Sequence, residues 1–594
     1  MGTCIQKLFI DTSALANEAA VYEKLYPIIK KRIEDRCNTV CMNTAGDADF
    51  VLRFELDPQI PTEGFRLADL TACKGILITG REFLGLMYGA GQFLHKSGYT
   101  AQGVIPTDWR GLSVPQNEKR VMQFCQHFYN WYQMCSEDEL REHIEDLVLW
   151  GLNGVSGVFS CLNLKGWDDP ELESLVRNFR CLLKTGRDLT LQCGMEFSNV
   201  DFMNPREELR ADYKYLISKT GNIICPSKPG GYEYIQELLE KILTFSDDIG
   251  LDFIVYIAYD EGGCSCDDCW PWAGKGYYDM THRLSKFVKQ KYPNMEFWLF
   301  TWYVGRGKDH IDEWPSLYKR LQEDAAKGDN WADYLLLETR DDYDQVYYPV
   351  RNGKPTEKIK MLTFPDVSMT GLTPWGGFGA VCMPELMKHW EKPFENDCNG
   401  GYLYTEGIWD DITKVAMLGI YWDRKRSTDE TIADYCNYEC QGIDPKDFVY
   451  LVKLIEASQS CTNRIDARPV PLCFCQEAWE LAQKMNDAAP ETTQKYWRWR
   501  MMYIRAYLDL VRYTECARRG WPLLKGARGW FNFWRPFLEH DQKAQDYLLE
   551  LIHLYKAQEI ADQTKYAYHY YLRPPMTRGH DFKWEAQLNG NTMV

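Results

Sequence analysis

The chain has 594 residues, too many for one ordinary domain. Lys and Arg number 68 against 85 Asp and Glu, and the formal charge of −17 excludes a basic nucleic-acid surface, which needs clustered cations. Apolar residues at 45% and aromatics at 14% mark a chain that builds cores, yet no apolar run is long enough to span a bilayer.

The N-terminus has no basic stretch followed by an apolar one, so it does not read as a secretory signal. With that, the 21 cysteines read as reduced thiols of a cytoplasmic protein, and their odd number leaves at least one unpaired. Residues 1–106 predict a small α/β domain. Lys7–Ile10, Phe50–Phe54 and Gly75–Thr79 read as strands, and Ala16–Arg36 and Phe83–His95 as amphipathic helices.

From 107 to 425 strands and helices alternate. Arg120–Phe124 opens the series. Ser136 and Glu139 form a capping box for a helix running to Trp150. Further strands are expected at Gly154–Phe159, Asp188–Cys193, Phe253–Tyr259, Glu296–Tyr303, Tyr334–Leu337, Ile359–Thr363 and Gly401–Thr405. Eight such units predict a (β/α)8 TIM barrel, with a doubly wound sheet as the competing topology. Residues 426–594 carry helical periodicity only, at Thr428–Glu439, Asp447–Ser458, Leu472–Met485, Lys495–Cys516 and Gln542–Ile560. The expected architecture is therefore an α/β barrel between an N-terminal α+β two-layer domain and a C-terminal helical domain.

Chemistry in such a barrel sits at the C-terminal ends of the strands. Acids recur there. Asp260 and Glu261 follow the fourth strand, Glu406 the eighth, Glu338 the sixth, Glu196 the third and Asp366 the seventh. Carboxylates gathered at one mouth shift one another's pKa, which provides the acid and base, or acid and nucleophile, of glycoside hydrolysis. Aromatic side chains fall at the same end. Trp302 and Tyr303, Tyr404, and Trp375 in a glycine-rich loop are candidates for stacking on a sugar ring. That loop lacks the Gly-Lys-Ser/Thr ending of a phosphate cradle.

Cys264, Cys266 and Cys269 follow the acid pair closely, and Cys225 precedes a helix nearby. Three thiols within six residues plus a fourth predict a closed, structural zinc site that braces the acid-bearing loop; free thiols are the bland alternative. A closed site leaves no open position for metal-assisted hydrolysis, so no cofactor is expected for the chemistry.

Glu63-Gly-Phe-Arg66, Gly75-Ile-Leu-Ile-Thr-Gly80 and Gly85-Leu-Met-Tyr-Gly-Ala-Gly91 resemble the small domain preceding the barrel in family 20 β-N-acetylhexosaminidases and family 67 α-glucuronidases. Trp109-Arg110-Gly111-Leu112 resembles the entry to their first barrel strand, which implies a substrate contact for Arg110. Asp260-Glu261 resembles the family 20 pair, in which the Glu is the general acid and the Asp orients the substrate acetamido group, itself the nucleophile. The chain departs from family 20 in having Tyr256-Ile-Ala-Tyr259 where that family shows His-x-Gly-Gly, and in its cysteine cluster. Those features, with Pro374-Trp-Gly-Gly-Phe-Gly379 and Tyr404-Thr-Glu-Gly-Ile-Trp409, look more like bacterial glycosidase-like proteins near family 67. The resemblance implies a glycosidase acting on a small carbohydrate, hexosaminidase-like or glucuronidase-like. It also implies a homodimer through the helical domain. A carbohydrate-binding barrel without catalysis is the rival reading.

Overall fold

The computed structural model describes residues 3–126, 131–162, 164–215, 222–259, 262–339, 344–367, 379–405, 407–459, 472–519 and 541–554. The N-terminal sheet orders its strands Val40–Cys41, Lys7–Asp11, Phe50–Leu56, Gly75–Gly80, Phe65–Asp69 and Gly111–Ser113. The last of these lies beyond the boundary expected at 107. Helix Phe83–Lys96 packs on this sheet, and Gly89 allows it to sit close, since a Cβ there would stand 2.5 Å from Ile78.

Eight parallel strands then close into a barrel: β1 (Lys119–Phe124), β2 (Gly154–Val158), β3 (Gln192–Phe197), β4 (Phe253–Ile257), β5 (Glu296–Phe300), β6 (Tyr334–Glu338), β7 (Lys360–Phe364) and β8 (Cys398–Thr405). The closed ring rules out a doubly wound sheet. Helices α1 (Glu137–Leu149), α2 (Glu171–Asp188), α3 (Gly231–Leu243), α4 (Gly276–Lys291), α5 (Glu313–Ala326), α6 (Tyr348–Asn352), α7 (Pro384–Glu391) and α8 (Asp411–Trp422) follow them in turn. The capping box of α1 forms as expected: Ser136 accepts from the Glu139 amide, and Glu139 reaches back to the Ser136 amide.

The seam between β8 and β1 depends on a glycine. Gly400 pairs with Lys119 at a φ of 132°, and a Cβ there would lie 1.8 Å from the Lys119 carbonyl oxygen. Inside, Val121, Phe253, Val255, Trp298, Leu336, Leu362 and Tyr402 fill the barrel, and Phe253 stacks on Trp298 at 4.0 Å. The interior is a packed core.

The third strand differs from expectation. Leu189 and Leu191 imitate strand alternation at 188–193, but α2 runs through Asp188 and Thr190 turns left-handed at a φ of 59°. β3 therefore starts at Gln192, and Glu196 lies within the strand instead of after it.

Among the described residues six helices follow the barrel, at Thr428–Glu439, Pro445–Gln459, Leu472–Ala488, Glu491–Lys495, Trp497–Arg519 and Gln542–Leu554. They are tied to the barrel by buried charge. Arg498 donates to Asp411 of α8 at 2.7 Å and to Asp146 of α1 at 3.1 Å, while Arg32 of the N-terminal region donates to the other oxygen of Asp146 at 2.7 Å. These guanidinium groups hold the Asp146 carboxyl well below the usual range, although burial alone would raise it. One carboxylate thus joins all three regions. No described helix is long and apolar enough to cross a membrane.

Candidate active site at the barrel mouth

β4 delivers Phe253, Val255 and Ile257 to the barrel interior. Strict alternation would send Tyr259 inward as well, but the chain has already turned. Tyr259 is fully buried outside the ring, where its hydroxyl donates to Glu313 of α5. Glu313, itself completely buried, also accepts from the amides of Ala273 at 3.2 Å and Gly305 at 3.0 Å. His310 Nδ1 lies 3.0 Å from the same carboxylate, and its Nε2 bonds the Tyr215 carbonyl at 2.9 Å. Burial lowers the His310 pKa, but pairing with Glu313 outweighs it, so the net shift is upward. One carboxylate therefore fixes the chain on both sides of the fourth and fifth strand ends. Beyond the turn, Gly262 lies against Asn199, whose Oδ1 a Cβ would approach to 2.7 Å, and Gly263 adopts a φ of 105° while donating to that oxygen at 3.3 Å.

Along the rim, contacts link the ends of β3, β1, β8, β7, β5 and β6. Glu196 on β3 accepts from Gln123 of β1 at 2.9 Å. Gln123 stands in register with Tyr404 of β8, whose hydroxyl donates to Cys125 Sγ at 3.4 Å. Tyr404 is 5.9 Å from Phe364 of β7, and Phe364 is 5.2 Å from Trp302 beyond β5. Trp302 lies 4.7 Å from Tyr303. Tyr303 takes a φ of 61° and donates its amide to Glu338 Oε2 at 3.4 Å. A bulky residue in that region is uncommon and is concentrated at functional sites. Glu196, Glu338 and Asp366 are only 7%, 2% and 1% exposed. Acidic groups so withdrawn from water, beside an aromatic wall, give this rim both a polar and an apolar face.

The end of β8 is anchored from below. The Tyr132 hydroxyl lies 2.9 Å from Thr405 Oγ1 and donates to the Gly407 carbonyl at 3.0 Å. Lys414 of α8, fully buried, donates to the same carbonyl at 2.5 Å and to Tyr132 at 2.9 Å, and it pairs with Asp410 at 3.0 Å. Its remaining neighbour, His143 Nε2 at 3.2 Å, is held neutral: burial and the Lys414 charge bring the imidazole pKa down to about 3.

Of the expected site residues, Glu196, Trp302, Tyr303, Glu338 and Tyr404 converge on this rim. Asp260, Glu261, Glu406 and Trp375 lie outside the described residues. Arg110 does not join the rim. It pairs with Asp69 at 2.6 Å and donates to the Thr107 and Trp109 carbonyls, beside the last strand of the N-terminal sheet. Gln123, Phe364, Tyr132 and Lys414 were not anticipated. Gln123 is a polar residue at an inward position of β1, as is Lys119 at its start, and that polarity was the available signal. The four cysteines do meet: Cys225, Cys264, Cys266 and Cys269 bring their sulfurs within 4.8 Å of one another.

No protein-family model matches the chain. No curated protein matches its sequence. Solved structures do. A family 89 glycoside hydrolase from Clostridium perfringens, in complex with its substrate GlcNAc-α-1,4-galactose, aligns at a TM-score of 0.57 and 12% identity. The alignment covers 93% of this chain and 66% of that one. The chain shares that fold. A second structure of a family 89 enzyme from the same organism, with 2-acetamido-1,2-dideoxynojirimycin, aligns at 0.55 and 13% identity over 93% of this chain and 67% of that one. A family 20 exo-β-N-acetylglucosaminidase from Vibrio harveyi aligns at 0.47 and 13% identity over 73% of each chain. The structural neighbours named here are thus glycoside hydrolases.

Proposed function

We propose that the protein is a glycoside hydrolase of hexosaminidase-like, exo-acting type that cleaves a small oligosaccharide or glycoside. The observation carrying this reading is the set of buried carboxylates and aromatic rings at the C-terminal rim, Glu196, Glu338 and Asp366 with Trp302, Tyr303, Phe364 and Tyr404. A pyranose presents an apolar face to aromatic rings and hydroxyls to carboxylates. β4 ends three residues before Asp260, and β8 ends one residue before Glu406. In this reading Glu261 is the general acid that protonates the leaving oxygen. Asp260 orients the acetamido group that attacks the anomeric carbon, and Glu406 is the alternative second carboxylate. The acetamido substrate in the Clostridium family 89 structure supports an N-acetylated sugar. A glucuronide would need a guanidinium at the rim; Arg110 is committed to Asp69, but Arg306 lies 4.4 Å over the Tyr303 ring and keeps a glucuronidase-like enzyme as the alternative. Protonation by Glu261 and attack by the substrate's own acetamido group call on no metal in this reading.

The test is hydrolysis of a panel of 4-nitrophenyl glycosides, both anomers of N-acetylglucosamine included, by the full chain and by Glu261→Gln. The active substrate should lose roughly 10²–10⁴-fold in rate in the variant. Equal turnover by both proteins removes Glu261 from the mechanism.

A further inference from the structure

Four sulfurs meet beside the rim from two separate loops. Cys225 lies in the loop from β3 to α3, and Cys264, Cys266 and Cys269 lie in the loop from β4 to α4. Cys225 Sγ is 3.8 Å from Cys266 Sγ and 3.8 Å from Cys269 Sγ. That spacing is too long for a disulfide, whose sulfurs stand about 2.05 Å apart. It matches the edge of a tetrahedron of thiolates around one ion, since bonds of about 2.3 Å to a central zinc place neighbouring sulfurs about 3.8 Å apart.

Hydrogen-bond donors line the cluster. The Asp212 amide donates to Cys264 Sγ at 3.4 Å, and Ser227 Oγ lies 3.1 Å from Cys269 Sγ. The amides of Ser227 and Lys228 also face Cys225, and that of Cys266 faces Cys264. Such donors neutralise part of the charge that four thiolates bring to a metal centre. The backbone is shaped around the cluster as well. Between the ligands, Cys269 and Trp270 both return their amides to the Cys266 carbonyl, at 3.0 and 2.9 Å. Across from them, α3 begins against the Cys225 carbonyl, where a Cβ on Gly231 would stand 2.0 Å from that oxygen.

We infer that Cys225, Cys264, Cys266 and Cys269 form a structural Zn²⁺ site that cross-links the loops following the third and fourth barrel strands. Four protein ligands close the coordination sphere, so the ion holds no water for chemistry. Its work is mechanical: it completes a clamp of which Asn199, bonded to both Gly263 and the Ile224 carbonyl at 2.6 Å, is the other half. That this clamp positions residues 260 and 261 for catalysis rests on the glycosidase reading; the zinc site itself does not.

The experiment measures metal content of the full chain, purified without chelator from zinc-supplied culture, by inductively coupled plasma mass spectrometry. One zinc per chain is expected, released on titration with 4-hydroxymercuribenzoate. Cys266→Ser, at the least buried of the four positions, should lower zinc content or retention at least several-fold, whereas Cys73→Ser, exposed and remote in sequence, should keep one zinc. Hydrogen exchange on the wild-type chain after zinc removal should rise in peptides spanning 222–231 and 262–276 and leave the β5–β7 strands protected, which tests the clamp even if a variant fails to fold. Folded wild-type protein with less than about a tenth of a zinc per chain overturns the inference, as does iron in its place. Metal retention identical in Cys266→Ser, or exchange unchanged on zinc removal, overturns it too. None of these readouts depends on hydrolytic activity, so loss of the glycosidase reading would leave them standing.

Discussion

Lys414→Met tests whether a buried cation holds the end of β8 in place. The substitution keeps the length of the stem and removes the ammonium. It deletes the donors to the Gly407 carbonyl and to Tyr132, and it breaks the ion pair with Asp410. Both partners of that pair are almost wholly buried, with side chains 0% and 2% exposed. Breaking a buried pair from one side costs about 3–5 kcal/mol, because the surviving charge has no water to turn to. For a unit the size of this barrel that corresponds to a fall in melting temperature on the order of 10 °C. The functional effect follows from position. Thr405 and Gly407 flank residue 406, and both are held by the Lys414–Tyr132 pair. A displacement of about 1 Å at a reacting group can cost 10²-fold in rate. Thermal unfolding by circular dichroism should therefore show the lower melting point. Assays well below it should show kcat reduced at least tenfold. Tyr132→Phe, which loses only the hydroxyl, should move both quantities the same way by less. Melting and turnover both at the wild-type level in Lys414→Met would show that the cation anchors nothing.

Two further predictions concern pH. Burial pushes the Glu391 carboxyl up to about 8, beside Thr363 and Tyr421. Its folded pKa lies above the unfolded value, so its contribution to stability is complete below pH ~4.5 and is lost as pH rises through about 8, a swing of about 5 kcal/mol. Glu391→Gln should flatten the fall in urea-unfolding stability between pH 5 and pH 9; an unaltered pH profile refutes the assignment. His310 titrates in the same sense, because Glu313 raises its folded pKa against the effect of burial. The pairing stabilises fully below pH ~6.5 and fades as pH rises past the raised folded value. His310→Gln should therefore cost more stability at pH 5.5 than at pH 9, and equal costs at both would contradict the pairing.

Much of the barrel was legible because its strands alternate with amphipathic helices over short windows. The Ser136–Glu139 capping box and the apolar run from Phe253 to Ile257 are local signals, and both appear where expected. The cysteine cluster was legible from spacing alone, and Cys225 joins it across 38 residues of intervening chain. The third strand was misplaced because Leu189 and Leu191 alternate like a strand, yet they lie in the turn that joins α2 to β3, where packing overrides pattern. Arg110 has no local feature that distinguishes a rim residue from one bound to Asp69. Phe364 resembles any core phenylalanine until its neighbours from β5 and β8 are known.

The amino-acid order by itself determined which segments become strand or helix, where acids follow strands, and which thiols share a spacing suited to metal. Those properties depend on neighbours within a few residues, and hydrophobic periodicity carries them. Tertiary structure alone decided that Gln123 faces Glu196, that Lys414 reaches under Gly407, and that Arg110 turns away. Gln123 and Glu196 stand 73 positions apart and Arg110 and Asp69 41 apart, and side-chain chemistry encodes no partner at such distances until the strands and loops that carry them lie side by side; Lys414 meets Gly407 only once α8 has folded back under the end of β8.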